Sequence, residues 1–296
     1  MKKKNKKKKR IKRNRVGEFF AKVKGFLKKY WKIMLTVLIV LSLVVPFAIV
    51  RTKAKKFTYD GLGPRQKVEE ATFDMACFYQ DQHNLRNYRD DNVIGVPGID
   101  VSEHQGDINW KKVKKAGVKF AMVRLGYSSC RDGKINMDVF FEKNMEEAHK
   151  AGIDIGVYFF SQATTTEEAL KEARFVVDNI KDRNVTMPVA FDMEPVTADD
   201  RINSLSVNEK TEVADAFLTA VTKAGYKGMI YGNAWWIDGN FDLSYLTDYD
   251  LWLAAYGTEN DCCCKYTMWQ YADWGRIDGI TTDVDLDIYF HKKGLF

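Results

Sequence analysis

From Gly98 onward the sequence alternates short apolar runs with amphipathic stretches of helical period, and this alternation constrains the fold more than any other feature. Apolar runs at 98–101, 119–126, 153–160, 187–193, 228–231, 251–256, 267–271 and 284–290 predict strands. Stretches at 110–116, 138–151, 166–180 and 207–224 predict helices. Thr166 with Glu168 offers a start signal, and Gly117, Gly152 and Gly225 offer stops. Strands that alternate with helices call for a parallel sheet, and eight of them in about 200 residues suit a small closed β/α barrel. The last third leaves little room for helices, so the barrel is expected to be irregular there. A doubly wound open sheet is the alternative. No glycine-rich phosphate loop follows any strand, which leaves nucleotide binding without support.

The net charge of +6 hides a segregation. The first 56 residues hold twenty Lys or Arg and one acid, Glu18, whereas the rest hold 26 bases and 39 acids, a net of −13. The folded part is therefore acidic, and a nucleic-acid partner is excluded for it. Residues 33–50 are apolar except for Thr36, Ser42 and Pro46, long enough to span a hydrocarbon core. A cleaved secretory signal has a shorter apolar region and small residues at its cleavage site, so an uncleaved anchor fits better. The basic excess before the run places 1–32 in the cytoplasm as a basic tail and 51–296 outside, with membrane lipid as a partner through 33–50. Within the tail, residues 16–32 space apolar side chains at helical intervals among lysines, which suits the anionic inner leaflet or a plain solvated tail. Residues 51–95 are expected to form an extracellular stalk, with a polar helix opening at Pro64 and running to about Arg89. The catalytic domain is expected over 96–296. Five cysteines, Cys77, Cys130, Cys262, Cys263 and Cys264, leave at least one without an intramolecular partner, and no histidine has metal-ligand spacing.

Chemistry in such barrels sits at the C-terminal ends of strands. Asp100 ends the first strand and Asp192 and Glu194 end the fourth. Side chains two apart on a strand share a face, so Asp192 and Glu194 point into one mouth, where one of two close carboxyls is driven to keep its proton. A protonated carboxyl is what a glycosidic oxygen requires of a general acid, and its ionised partner can stabilise a cationic intermediate. Asp285, flanked by Val284 and Leu286, is expected to support the site, while Asp283 and Asp287 are expected at the rim or in solvent. Tyr158, Tyr231, Trp252, Tyr256, Trp269 and Tyr271 fall on or near strand ends, where rings either stack on sugars or pack a core.

These residues fall in motifs that resemble glycoside hydrolase family 25, the bacterial and phage lysozymes. The matching pieces are Gly98-Ile-Asp-Val-Ser102, Phe120-Ala-Met-Val-Arg-Leu-Gly-Tyr127, Gly156-Val-Tyr-Phe-Phe-Ser-Gln-Ala163, Pro188-Val-Ala-Phe-Asp-Met-Glu194, Trp252-Leu-Ala-Ala-Tyr256, Met268-Trp-Gln-Tyr271 and Gly279-Ile-Thr-Thr-Asp-Val-Asp-Leu-Asp287. The resemblance implies an α/β fold, an irregular (β/α)5(β)3 TIM-like barrel, preceded here by the transmembrane helix and stalk. It implies hydrolysis of the β-1,4 bond between N-acetylmuramic acid and N-acetylglucosamine in peptidoglycan glycan strands, with no cofactor and no metal. It implies Glu194 as proton donor, Asp192 as the neighbour that steadies the intermediate, and Asp100 and Asp285 as the other acids. Tyr158, Tyr231, Trp252, Tyr256, Trp269 and Gln270 would contact the substrate, with Tyr158 and Trp269 lining the groove. The chain departs from common family patterns at Phe159, where many members carry histidine, and over Val123-Arg-Leu-Gly-Tyr127. Spacing leaves inversion, double displacement and assistance by the substrate's own N-acetyl group open, and we favour the last. The competing readings are a non-catalytic peptidoglycan-binding module, a hydrolase of chitin-like polymers, and an assembly role with cell-envelope proteins.

Overall fold

Eight strands close on themselves in the computed structural model. They are β3 (Val93–Val101), β4 (Phe120–Ser128), β6 (Asp154–Phe160), β7 (Val189–Asp192), β8 (Gly228–Asn233), β9 (Asp250–Ala254), β10 (Met268–Gly275) and β11 (Val284–Lys292). Neighbours from β3 through β10 pair in parallel, and β11 runs antiparallel to both β10 and β3, which closes the ring. Closure decides between the two expected architectures in favour of the barrel. The structure describes residues 57–71, 73–257 and 264–294, together with Lys24, Lys28 and Lys29. The expected anchor at 33–50 and the Cys262–Cys263 pair lie outside the described residues. Among the described residues, no helix is long and apolar enough to cross a membrane.

Helices α1 (Trp110–Lys115), α2 (Phe141–Lys150), α3 (Thr166–Ile180) and α4 (Val207–Lys223) fall where helical period was expected. The cap of α3 is Thr165, one residue before the expected start, whose side chain accepts from the Glu168 amide at 3.2 Å. Ser206 and Glu209 cap α4 reciprocally, which satisfies two of the amides that a helix start leaves open. Short α5 (Ala234–Asn240), strand β5 (Ile135–Met137) and the hairpin of β1 (Phe78–Gln80) with β2 (Arg86–Arg89) were not anticipated.

The barrel interior holds Phe120, Met122, Met187, Ala190, Met229, Trp252, Met268 and Tyr289, and the alternate residues of the same strands pack outward. Gly98 and Gly156 make room for this filling. A Cβ on Gly98 would meet the Phe120 ring at 2.3 Å, and one on Gly156 would meet Met122 Sδ at 2.4 Å.

The stalk expectation requires correction. No α-helix runs from Pro64 to Arg89, and the compact unit begins at Phe57. Residues 57–95 pack on the barrel: the Gln66 amide donates to Ser244 O at 2.7 Å, Lys265 N donates to Glu69 O at 2.8 Å, and β2 pairs with β3. The physical reason is apolar. Phe73, Phe78 and Tyr88 cover the outer faces of β10 and β11, with Phe73 4.0 Å from the Phe290 ring and Phe78 5.6 Å from Trp269. Burying such rings contributes about 2 kcal/mol each, which a free stalk would forgo.

Candidate active site

Period-2 alternation aims a ring of polar side chains at the C-terminal mouth of the barrel. Met122 is interior, so Arg124 follows it to the same face; Met268 brings Gln270, and Ala190 brings Asp192. Asp100 of β3 sits in register with Asp285 of β11, and Asp287 lies two residues deeper. Beyond the end of β7 the backbone is pinned residue by residue. Ser161 N donates to Asp192 O at 2.6 Å, Trp236 Nε1 donates to Met193 O, and Gln162 Nε2 donates to Glu194 O at 2.8 Å. These three bonds hold Glu194 beside Asp192, although the strand has ended.

A hydrogen-bonded chain crosses the mouth. Trp252 Nε1 donates to Asp287 Oδ1 at 2.8 Å, and the Asp287 carboxyl meets that of Asp100. Gln270 Nε2 donates to Asp100 Oδ2 at 2.8 Å, and Gln270 Oε1 accepts from Tyr231 at 3.0 Å and from Tyr256 at 3.1 Å. Arg124 is held away from the carboxyls by Asp138 at 2.8 Å and Glu103 at 2.9 Å. Its charge still reaches Asp192 and Tyr158.

Burial dominates the electrostatics. It lifts Asp192 and Glu194 above the ordinary carboxylate range, with mutual repulsion adding to the effect on Asp192. Each carboxyl acts on the other, and two acids this close and this buried hold one proton more readily than two charges. Asp100 and Asp287 rise for the same cause, burial first and then a neighbouring carboxylate. Burial, followed by the charges of Asp100 and Asp273, pushes Asp285 up to about 8. Such a site can both donate a proton and stabilise positive charge near neutral pH. Among the described residues, no group of three or more His, Cys, Asp or Glu is arranged to hold a metal ion.

The sequence profile of Glycosyl hydrolases family 25 matches residues 99–280. Lysozyme M1 of Streptomyces globisporus is 30% identical over 205 residues, covering 66% of this chain and 67% of that protein. The chain belongs to glycosyl hydrolase family 25.

Solved structures agree on the fold. A family 25 glycosyl hydrolase from Bacillus anthracis superposes with a TM-score of 0.56 at 24% identity, over 66% of this chain and 88% of that one. The bacterial lysozyme from Streptomyces coelicolor gives 0.53 at 26% identity, over 66% and 92%. As a member of family 25, this chain is a glycoside hydrolase.

The family 25 barrel brings together Asp100, Asp192, Glu194, Asp285, Tyr158, Tyr231 and Gln270 at its mouth, and Tyr256 stands at the rim, 48% exposed. Two expected sugar contacts are corrected. Trp269 faces outward because Met268 and Gln270 occupy the inward positions on β10. It is fully buried, and Arg86 stacks 4.5 Å from its ring centroid. Trp252 faces inward but is only 1% exposed, beneath Tyr158 and Tyr231, and it serves Asp287 rather than a sugar. Asp287 is also corrected, since it is fully buried in the interior rather than in solvent. Its spacing of two from Asp285 was the available signal. Asp283 is exposed, as expected, and pairs with Arg276 at 2.8 Å. Sequence reasoning missed Arg124, whose position two residues after Met122 marks it as inward.

Proposed function

We propose that this family 25 chain is a muramidase, hydrolysing the β-1,4 bond between N-acetylmuramic acid and N-acetylglucosamine in peptidoglycan. The relatives named lysozymes support the peptidoglycan substrate. The observation that carries the mechanism is the side-by-side placement of buried Asp192 and half-buried Glu194 at the open end of the barrel. Glu194, the more exposed of the two, gives its proton to the glycosidic oxygen. Asp192, the ionised partner, polarises the N-acetyl amide of the muramic acid, whose oxygen attacks the anomeric carbon of the same sugar as its bond to the protonated glycosidic oxygen breaks and Glu194 is left as the carboxylate. Water opens the resulting ring with Glu194 as base, so the anomeric configuration is retained. Asp100 and Asp285 complete the acidic wall, and Tyr158, Tyr231, Tyr256 and Gln270 contact the sugars.

The test is muropeptide release from purified peptidoglycan by the full chain. Glu194→Gln should lower kcat about 10³-fold with an unchanged thermal transition, as expected for loss of a general acid. Undiminished release would end the assignment of Glu194. Inverted product would end that of substrate assistance.

The apolar run 33–50 and its twenty flanking bases support anchoring in the cytoplasmic membrane, with the barrel outside. Anchoring would restrict cleavage to wall near the membrane and suits local opening alongside cell-envelope assembly proteins. Protease added outside intact cells should digest an epitope on the barrel and spare one on residues 1–32.

A further inference from the structure

Asp287 is fully buried, and its Oδ2 meets no N–H or O–H donor among the described residues. Its other oxygen accepts from Trp252 Nε1 at 2.8 Å. The remaining partner of Asp287 is the carboxyl of Asp100, which accepts from Gln270 Nε2 at 2.8 Å through its own Oδ2. Each carboxyl thus has one donor from the protein, and the contact between them bonds only if it contains a proton. Two bare carboxylates there would be a buried charge pair with no cation against them, an arrangement far more costly than one charge.

We propose that Asp287 is a positioning residue for the hydrolase site, sharing a single proton with Asp100 and so fixing the orientation and charge of Asp100 at the barrel mouth. The proposal rests on the muramidase reading for its effect on rate, and for the proton on the register that sets the two buried carboxyls diagonally across β3 and β11 with Asp287 Oδ2 lacking a donor. The buried end of the chain is anchored by Trp252, and the exposed end is Tyr256, reached through Gln270. Asp100 therefore cannot rotate without breaking two bonds. With one proton, the pair presents one negative charge to Glu194 rather than two.

Groups from every side face this pair. Asp285 lies on the same strand as Asp287, Asp192 comes from β7 and Glu194 from just beyond it, Tyr158 from β6 and Tyr231 from β8, with Tyr256 beyond β9 and Tyr271 on β10. The carboxyls among them repel a second charge on Asp100 and Asp287, and the tyrosines are neutral. Of the guanidiniums, Arg124 acts on Asp192 and Tyr158, and Arg86 acts on Tyr271.

Two variants of the full chain test this, Asp287→Asn and Asp287→Ala, by kcat against pH and by the protons released on unfolding. Asparagine keeps the shape and supplies an N–H to Asp100 without a titrating proton. Asp287→Ala should lose about 10²-fold in kcat with little change in KM, the cost of a misplaced site group. Asp287→Asn should recover at least about tenfold of that loss, and its alkaline limb should fall with one fewer proton than the wild type's. Folding of Asp287→Asn at neutral pH should take up about one proton fewer than wild type, read from the pH slope of urea-unfolding stability. Equal rates for the two variants, or an unchanged proton count, overturns the proposal. Should Asp287→Ala fail to fold, the limb and proton count of Asp287→Asn decide. Should wild type release no muropeptides, the muramidase reading falls, while the proton count still decides the shared proton.

Discussion

Around β4, β6, β7 and β8 the outer face of the barrel is closed by helices that each lead from one strand to the next, whereas the outer face of β10 and β11 is closed by chain that precedes the barrel altogether. On the helix side Phe217 of α4 packs against Phe159 and Phe191, contacts made within two consecutive β/α repeats of the chain. On the other side Phe73 and Phe78 reach Phe290 and Trp269 across nearly the whole length of the barrel sequence. Each side also carries one pair of close acids, Asp192 of β7 with Glu194 just beyond it, and Asp100 of β3 with Asp287 of β11. The family match begins at residue 99, so one half of the site leans on chain outside the matched region. A strand without a following helix still needs its outer face covered, and here residues 57–95 supply the cover.

Deleting residues 57–92 should break the comparison most severely. It removes β1 and β2 and uncovers Trp269 and Phe290, and the loss should exceed the whole stability of a domain, about 5–15 kcal/mol. Calorimetry of the shortened chain should show no cooperative transition. A transition at the full-length temperature would make the extension an ornament. Single truncations sharpen the same contrast. Phe217→Ala, on a fully buried side chain, should cost about 4 kcal/mol, and Phe73→Ala, partly buried, about 2 kcal/mol. Hydrogen exchange should rise in β7 and β8 for the first and in β10 and β11 for the second.

The two sides differ in how readily they are read from sequence. Helix period and caps announced α1 to α4 to within a few residues, and all eight barrel strands were legible as apolar runs. The cover over β10 and β11 was not legible, because residues 57–95 lack periodicity and their few aromatics gain meaning only against a partner about 200 residues away. Within the site, Asp100, Asp192, Glu194 and Asp285 were found by chemistry at strand ends. Trp269 and Asp287 were misread although strict alternation settles both: Gln270 inward sends Trp269 outward, and Asp285 inward draws Asp287 in. Aromatic and acidic character outweighed the period where the period was the better guide.

The extension-covered half contains Asp285, which burial and the charges of Asp100 and Asp273 hold at about 8. In the unfolded chain an aspartate titrates near 3.9, so folding takes up a proton between those values. The contribution of this group to stability is full below about 4 and is lost as pH rises through about 8. Asp285→Asn should therefore flatten the fall of stability over that window, with Tm above wild type at pH 8. A parallel pH dependence of Tm in both proteins would show that Asp285 ionises freely.

Glu172 is the matching group on the helix side and should give the smallest effect. It lies on α3, 2% exposed, where Ser161 Oγ donates to it at 2.6 Å and Ser128 Oγ donates to its other oxygen. It ties the ends of β4 and β6 to the helix between them and the next strand. Burial raises it to about 7, with the two hydroxyl bonds opposing the rise. Its folded value lies above that of an unfolded glutamate, near 4.3, so its contribution to stability is present below about 4 and lost as pH rises through about 7. Glu172→Gln keeps an acceptor for one serine and cannot ionise. At pH 5 it should lie within about 1 kcal/mol of wild type, since one neutral hydrogen bond replaces another. By pH 8 the gap should close or reverse. Glu172→Ala strands both hydroxyls and should cost about 2 kcal/mol at pH 5, a cost that shrinks by pH 8 as the wild-type contribution is lost. If glutamine were as damaging as alanine at both pH values, the carboxyl would be acting as a fixed anion, and the helix side would contain no titrating counterpart to Asp285.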